Sequence, residues 1–361
     1  MKAKKTAKKV AFVDRNAEFF LDIQEKMIAK IQYAKDNNIH LGDALGYGSG
    51  RPGKKGKDVK TVERESVVVR PTNFQSNVEY SGSNYNKFSL AVALNGYKTG
   101  WFGTYKQWET AGCKVTKGSK AFKGRVWITP EFTKKEFEEN KAAMDKGEKP
   151  PHTLPDDHPA FFSVFNLDQV EGVTPEGIAL IKELQDKLVV QVLKHVRYIP
   201  AVASVPPSDY FGNPWYKIEA LDNIKFGTVK IYTDSTKYSC GCYNHKLHRI
   251  YMPPMETGFK SSGHYYKTLI HELAHSTMKD MSRPISTDHS SATYAREELI
   301  AEMTAWVMSV DLGIFAEDDK YPTSPAYLDH WLSNMKKSPD YLREVMSDVN
   351  KICHAIRQAI K

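Results

Sequence analysis

The sequence predicts an α+β protein made of two units with opposite charge. Segments with helical periodicity lie near both ends of the chain, and short strand-like segments such as Phe122–Ile128 and Arg249–Met252 lie between them. Residues 1–130 contain 24 Lys and Arg against 11 Asp and Glu, whereas residues 131–361 contain 27 against 32. The acidic part carries a His-Glu-Leu-Ala-His motif. We therefore expect a basic unit that binds a polyanion and an acidic unit that holds a metal ion.

The overall composition is that of a globular protein with two or three domains, each with its own core. The chain has 361 residues, of which 41% are hydrophobic and 26% are charged. No apolar run approaches the roughly 20 residues that span a bilayer, and the basic N-terminus lacks the apolar core of a secretory signal. The four cysteines do not form a disulfide framework, so we expect a reducing cytoplasm and no membrane partner.

The first part of the chain combines lysine-rich segments with predicted helices. Apolar residues recur at helical spacing over Asn16–Asp36, and a strongly charged helix is predicted over Thr133–Lys149. A loop rich in glycine and lysine at residues 42–60 lacks the Gly-Lys-Ser/Thr ending of a phosphate-binding loop, which excludes nucleotide hydrolysis there. A linker rich in proline and aspartate begins at residue 150. The predicted units are a basic flexible tail (1–15), a basic domain (16–150) and an acidic domain (151–361).

Aromatic and basic residues alternate in the predicted basic domain. Between Pro71 and Pro130 there are eight Lys and Arg but only two acidic residues, so the surface there is cationic. Cations that follow a phosphate backbone and rings that stack on unpaired bases suit single-stranded nucleic acid. The rings can equally be core residues, and this alternative stays open. The predicted DNA contacts are Tyr80, Asn84, Trp101, Tyr105, Lys106, Gln107, Lys114, Lys117, Lys120, Lys123 and Arg125.

The acidic part contains further short elements around the His-Glu-Leu-Ala-His motif. Arg249–Met252, just before the motif, is predicted to be an edge strand on which an extended peptide can pair. The other predicted elements are strands at Phe161–Asn166, Val229–Tyr232 and Ser239–Tyr243, and helices at Thr174–Val196, Tyr327–Lys337 and Tyr341–Ile360.

The motif itself predicts a zinc site. His271 and His275 lie four residues apart and so share one face of a helix, where two neutral imidazoles can hold one Zn²⁺. Glu272 lies beside them and is the predicted catalytic residue, because it can activate a water molecule. The site predicts one Zn²⁺ per chain, although other divalent ions suit the same ligands.

A second acidic helix completes the predicted ligand set. A catalytic zinc ion commonly has three protein ligands, and we assign the third to Glu298. Glu302 lies four residues further and is predicted to orient one histidine through its other ring nitrogen. Glu297 and Glu302 are alternatives as the third ligand. Tyr294 is predicted to lie next to the site, either as a hydrogen-bond donor to a developing oxyanion or as a packing residue.

A second zinc site is a weaker possibility in the same part of the chain. Cys240 and Cys242 are followed by His245 and His248. The spacing is Cys-x-Cys and not the Cys-x-x-Cys that zinc sites commonly use, so the sequence favours a strand and a turn there.

Several motifs occur in a fixed order along the chain, at residues 71–73, 80–84, 101–107, 112–118, 164–172, 250–253, 265–266, 271–275 and 294–302. Together they resemble the ArdC-type antirestriction proteins of conjugative plasmids and phages. The resemblance implies a single-stranded-DNA-binding domain joined to a zincin-like metallopeptidase domain, and protection of incoming DNA from restriction enzymes in the host cell cytoplasm. An alternative is a zinc metallopeptidase effector that cleaves a host protein, with DNA binding secondary. The expected partners are single-stranded DNA and either a host protein substrate or a restriction enzyme.

Overall fold

The computed structural model describes residues 15–45, 70–154, 156–191, 198–199, 217–312, 314 and 323–360. Nearly all of the predicted basic tail and most of the glycine- and lysine-rich loop lie outside the described residues, as does the end of the helix predicted to reach Val196. Among the described residues, no helix is long and apolar enough to cross a membrane.

Helices form most of the C-terminal part and also the N-terminal edge of the structure. The predicted helix Asn16–Asp36 is confirmed within one residue at each end. The helices are α1 (Arg15–Asn37), α2 (Leu41–Leu45), α3 (Gly82–Asn95), α4 (Tyr105–Thr110), α5 (Lys134–Asp145), α6 (Pro175–Gln191), α7 (Glu219–Asp222), α8 (Met255–Gly258), α9 (Ser262–Ser276), α10 (Ala292–Leu312), α11 (Pro325–Lys337) and α12 (Tyr341–Ala359).

The strands are short and form four small sheets. The strand predicted at Phe122–Ile128 is confirmed at both ends. The strands are β1 (Thr72–Asn73), β2 (Trp101–Gly103), β3 (Cys113–Val115), β4 (Phe122–Ile128), β5 (His158–Asn166), β6 (Val170–Gly172), β7 (Tyr198–Ile199), β8 (Lys217–Ile218), β9 (Lys230–Tyr232), β10 (Cys242–Asn244) and β11 (Arg249–Tyr251). Their orders are β1-β2-β5-β4, β10-β11-β9, β3-β6 and β7-β8.

The four-stranded sheet crosses the predicted domain boundary at residues 150 and 151. Residues 158–164 of β5 pair antiparallel with the whole of β4, and the last two residues of β5 pair antiparallel with β2. Beyond it, β6 pairs with β3, and the Leu184 carbonyl of α6 accepts a hydrogen bond from the Trp101 indole at 2.8 Å. The segment after residue 150 is therefore part of the fold of the basic unit, because β5 supplies hydrogen-bond partners to β4 and β2, and β6 supplies them to β3 in a separate two-stranded sheet.

The structure also differs from the expectation that each unit has its own separate core. One hydrophobic cluster contains Phe88 and Phe122 of the basic unit together with Tyr266, Leu273 and Trp306 of the acidic unit. These residues meet because α1 and α3 pack against α10, α11 and α12. The two units therefore share the larger of two apolar clusters, while a smaller one that includes Trp101 and Trp108 lies in the basic unit alone.

A buried glutamine fixes α1 to the C-terminal helices. Gln24 is 4% exposed, and its amide donates to the Met335 and Ser338 carbonyls at 2.8 and 2.9 Å. The Leu342 amide donates back to its side-chain oxygen at 3.0 Å. These bonds satisfy the end of α11 and the start of α12, which would otherwise expose unpaired backbone groups to an apolar interior.

The three-stranded sheet lies beside α9 and differs from the predicted arrangement in one respect. Strand β11 is the central strand, parallel to β9 and antiparallel to β10. The predicted edge strand Arg249–Met252 is therefore paired on both sides. The edge next to α9 belongs to β10, which contacts that helix.

Candidate metal centre and basic surface

Helices α9 and α10 bring the predicted metal ligands together. The Ser261 hydroxyl begins α9 by accepting a hydrogen bond from the His264 amide at 3.3 Å, and the Ser291 hydroxyl accepts from the Tyr294 amide at 3.1 Å at the start of α10. The two helices pack closely and run antiparallel. Their direction is shown by the contacts at the two ends of the site, since His271 lies near Glu302 whereas His275 lies near Glu297.

The inner part of the site consists of two imidazoles and one carboxylate. The Nε2 atoms of His271 and His275 lie 3.0 Å apart. The Glu298 carboxylate lies 3.6 Å from the first of these nitrogens and 3.5 Å from the second. All three donor groups lie within 4.8 Å of one another, and no second metal-ligating group of this kind was found among the residues described. Two nitrogens and one oxygen in this arrangement fit a divalent cation.

Two outer carboxylates engage the remaining imidazole nitrogens. Glu302 Oε1 lies 3.4 Å from Nδ1 of His271, and Glu297 Oε1 lies 3.2 Å from Nδ1 of His275. A carboxylate at Nδ1 favours the tautomer with its proton on that atom, so that the Nε2 lone pairs of both rings face the shared point with Glu298. Glu302 thus lies where the sequence predicted an orienting group, and Glu297 occupies the equivalent position on the other histidine.

Arg283 balances the charge of Glu297. Its Nε and Nη2 atoms each donate to one carboxylate oxygen at 2.8 Å, and Nη2 also donates to the Ala274 carbonyl at 2.9 Å. Arg283 and Glu297 are 6% and 7% exposed, so each buried charge is stabilised by the opposite charge of its partner. This pair was partly predictable from the sequence, since a carboxylate on a mostly apolar helix requires a cation nearby.

The ionisable groups of this site strongly shift one another's pKa values. Burial raises the pKa of Glu302, but His40 and His271 oppose this and hold it well below its usual range. Burial lowers the pKa of His271, whereas the Glu298 and Glu302 carboxylates raise it well above its usual range. For Glu298, burial raises the pKa and His271 lowers it, with a net decrease. The cluster therefore keeps its carboxylates ionised and attracts positive charge.

The predicted catalytic and neighbouring residues lie around this cluster. Glu272 is 8% exposed and follows His271 on α9. Burial, followed by the nearby Glu272 carboxylate, raises the pKa of the Cys242 thiol on β10 to about 11. Burial raises the pKa of Tyr294 well above its usual range, and the Glu298 carboxylate adds to this effect. The Tyr294 ring also stacks on His289, with a centroid distance of 4.2 Å.

The weaker second zinc site is not assembled in the described residues. Cys240 and Cys242 do not converge there with His245 and His248 into a group of metal ligands. Nδ1 of His248 instead lies 2.8 Å from the Tyr243 hydroxyl.

Three predicted DNA contacts have structural roles. Trp101 is 1% exposed and donates its indole hydrogen to the Leu184 carbonyl, so its prediction as a stacking residue is wrong. The Asn84 amide exchanges two hydrogen bonds with the Arg125 backbone, at 2.7 and 2.9 Å. Gln107 caps α4 through a 2.8 Å bond to the Thr104 amide and donates to Gln75. Trp101 is therefore occupied by burial in the apolar interior, and Asn84 and Gln107 are occupied by local hydrogen bonds.

The remaining predicted contacts lie at or near the surface. Lys123 and Tyr80 are half-buried, and the Lys123 ammonium donates to the Ser163 hydroxyl at 2.7 Å. Trp127 was not selected from the sequence, yet it is 57% exposed and its ring centroid lies 5.5 Å from the Arg125 guanidinium carbon. The exposed predicted contacts are Tyr105, Lys106, Lys114, Lys117, Lys120 and Arg125.

Two concave regions lie among these side chains. A groove of about 780 Å³ runs between α1 and residues 116–123 and is lined by Lys26, Lys117, Lys120 and Lys123. Asp22 partly neutralises it, through contacts of 2.8 Å to Lys26 and 3.2 Å to Lys120. A smaller cavity of about 430 Å³ lies under the exposed end of β4. Its lining includes Tyr80, Asn84, Arg125, Trp127 and Phe162.

Two protein families match the chain, one over the basic unit and the other over the region that contains the candidate metal centre. Residues 53–155 match the N-terminal domain of the anti-restriction factor ArdC. Residues 220–346 match a family of zincin-like metallopeptidases, and this region contains α9 and α10. Together the two matches cover well over half of the sequence.

Solved structures extend this likeness to the whole fold. The metal-free crystal structure of the antirestriction protein ArdC from plasmid R388 aligns with 94% of this chain and 97% of its own, with a TM-score of 0.52 and 22% identity. The chain is an ArdC-type protein. The Mn(II)-bound structure of R388 ArdC aligns over the same shares, with a TM-score of 0.52 and 21% identity.

Two further relatives are similar to about three quarters of this ArdC-type chain. The protein y4eC of Sinorhizobium fredii is 23% identical over 273 residues, which are 75% of each chain. The DNA primase TraC of Escherichia coli is 23% identical over 288 residues, which are 78% of this chain but 23% of TraC. The chain therefore spans about a quarter of the length of TraC.

The Arg283–Glu297 pair provides a prediction about stability. Replacing Arg283 with Met leaves the Glu297 charge buried without its partner, and we expect the free energy of unfolding at pH 7 to fall by about 3–5 kcal/mol. In the parent, Glu297 has a pKa below the ordinary 4.5 because Arg283 and His275 outweigh its burial, so its contribution is present above that pH and is lost as the pH falls. The difference between parent and variant should therefore narrow at acid pH.

Urea unfolding at pH 7 and near pH 4 measures this effect. Arg343→Met is the matched control, because Arg343 is more exposed and contacts Asp340 at 3.0 Å on the surface. Equal losses for the two variants at pH 7 would contradict the account.

Proposed function

We propose that this ArdC-type protein binds single-stranded DNA on its basic face and holds one divalent cation between α9 and α10. In this role it protects incoming DNA from restriction enzymes in the cytoplasm of the receiving cell. The observation that carries the proposal is the convergence of His271, His275 and Glu298 within 4.8 Å of one another, in a chain whose N-terminal region matches ArdC. Similarity to a DNA primase supports a DNA partner.

His271, His275 and Glu298 would hold the ion. Zn²⁺ is our first assignment because two imidazoles and a carboxylate are a common zinc set, and Mn(II) is the alternative because it occurs in a structure of R388 ArdC. When bound, the ion supplies Lewis acidity, which polarises a carbonyl group and makes a water molecule more acidic. Glu297 and Glu302 keep the two imidazoles oriented for this task through Nδ1.

Glu272 and Tyr294 are the groups that can handle protons and developing charge. Glu272 follows ligand His271 in the chain, so we assign it as the base that accepts a proton from water and passes it to a leaving amine. Tyr294 has a raised pKa and stays protonated at neutral pH, which suits a hydrogen-bond donor to a developing oxyanion. Strand β10 is an edge strand of the sheet formed by the described residues and lies beside α9, where an extended peptide could pair with it.

The proposed DNA surface combines the lysine groove with the exposed end of β4. Lys117 and Lys120 of the groove, together with the exposed Lys114 on β3, supply cations for the phosphate backbone. Trp127 presents a largely exposed ring next to Arg125 and can stack on an unpaired base. Trp127 thus replaces Trp101 as the proposed stacking residue.

The metal assignment predicts different results for neighbouring carboxylates. We expect Glu298→Gln to weaken Zn²⁺ and Mn²⁺ binding by at least about 100-fold, because it removes a charged ligand. Glu272→Gln should change the affinity by no more than about threefold, because Glu272 is assigned to proton transfer. Competition titration with a chromophoric chelator measures both. If Glu272→Gln loses as much affinity as Glu298→Gln, the ligand assignment is incorrect.

The DNA assignment predicts that a local charge reversal removes binding. The Lys114/Lys117/Lys120→Glu variant should bind a single-stranded oligonucleotide at least about 100-fold more weakly near 0.1 M salt. The slope of log affinity against log salt should also fall by about 2, which corresponds to three lost phosphate contacts. Lys336/Lys337/Lys351→Glu changes the net charge equally on exposed positions of α11 and α12 and should retain binding. Equal binding by both variants would refute the proposed surface.

Transfer of an unmodified plasmid into a restricting host tests the biological role with the same proteins. We expect the Lys114/Lys117/Lys120→Glu variant to lose protection and the Lys336/Lys337/Lys351→Glu variant to keep it. Protection that survives the first change but is abolished by Glu272→Gln would instead support the peptidase effector that cleaves a host protein.

A further inference from the structure

A histidine from the N-terminal helices reaches the metal centre. Helix α1 ends at Asn37, and Asn38 adopts a left-handed conformation with φ of 48°, which asparagine tolerates better than most residues. The Ile39 amide then donates to the Ala34 carbonyl at 3.0 Å, which fixes the reversal of the chain. The next residue, His40, lies where α2 begins to pack against α10.

The His40 ring has a defined orientation. Its Nδ1 atom accepts a hydrogen bond from the Gly42 amide at 3.1 Å, and the Lys267 ammonium lies 3.4 Å from the same atom. Because a backbone amide can only donate, Nδ1 carries no proton and the neutral ring has its proton on Nε2. Nε2 lies 3.3 Å from Glu302 Oε1, so this proton faces the carboxylate.

The same carboxylate oxygen contacts the metal centre on its other side. Glu302 Oε1 lies 3.4 Å from Nδ1 of His271. The side chains of His40, Glu302 and His271 are 13%, 14% and 17% exposed, so water competes little for these contacts. The relay therefore runs from Gly42 and Lys267 through His40 and Glu302 to a predicted metal ligand.

We propose that His40 is a positioning residue of the metal centre, which acts through Glu302 to orient His271. The helices α1 and α2 would then belong to the metal centre, although they precede both regions that match known families at residues 53–155 and 220–346. The inference rests on the proposed metal centre. Partners that orient ligand histidines commonly change metal affinity by about 10–100-fold when they are removed.

The affinity of the full-length protein for Zn²⁺ and for Mn²⁺ tests this role without relying on activity. We expect His40→Ala to weaken binding by about 10–100-fold. His40→Gln should recover part of the loss, because its terminal amide can donate to Glu302. His354→Ala is the matched control, since His354 is exposed on α12, and it should bind like the parent. Affinity of His40→Ala within twofold of the parent overturns the proposal.

A double-variant cycle tests whether His40 acts through Glu302. If it does, His40→Ala combined with Glu302→Ala should bind metal within twofold of Glu302→Ala alone, because the relay is already broken. Independent, multiplying losses overturn the relay. Circular dichroism of the metal-free variants verifies that each one folds, and loss of the fold by both His40→Ala and His40→Gln would assign His40 to stability instead. If the parent binds neither ion, the metal centre itself fails and this inference fails with it.

Discussion

The contact between α9 and α10 buries two histidines and three carboxylates between surfaces that are otherwise apolar. Buried charges of this density are tolerated only when each has a partner, because an unpaired one costs several kcal/mol. Arg283 neutralises Glu297 from the loop that joins the two helices, and His40 contacts Glu302 from the N-terminal helices. Contacts with the buried carboxylates of α10 thus help to hold the loop and the N-terminal helices in place. A divalent cation beside Glu298 would complete this balance.

The same helix pair belongs to the core that joins the acidic and basic units. Leu273 of α9 and Trp306 of α10 lie in one cluster with Phe88 and Phe122, which support the helix and strand next to the proposed DNA surface. Well-packed interiors respond to displacement as a unit, because they contain little free volume. The proposed DNA surface and the candidate metal centre are therefore supported by the same packed core.

The convergence of His271, His275 and Glu298 was largely predictable because its signals are local. The spacing of His271 and His275 fixes their common helix face, and the spacing of Glu298 and Glu302 does the same on the second helix. The role of Trp101 was not predictable, since alternating aromatic and basic residues occur both in cores and on DNA-binding surfaces. The sequence did not reveal that β5, beyond the predicted boundary, joins the sheet of the basic unit, because its pairing with β4 is non-local. His40 gave no sequence signal, since its partner Glu302 lies in a distant helix.

The central claim is that one divalent ion is held by His271, His275 and Glu298. X-ray absorption spectroscopy of the zinc-loaded, full-length protein tests it most directly, because the fine structure distinguishes imidazole, oxygen and sulfur donors. The account predicts a first shell of nitrogen and oxygen at about 2.0–2.2 Å with outer scattering from two imidazoles. Sulfur scattering at about 2.3 Å would contradict it, since that is the distance of a zinc–thiolate bond and would indicate cysteine ligands such as Cys240 and Cys242.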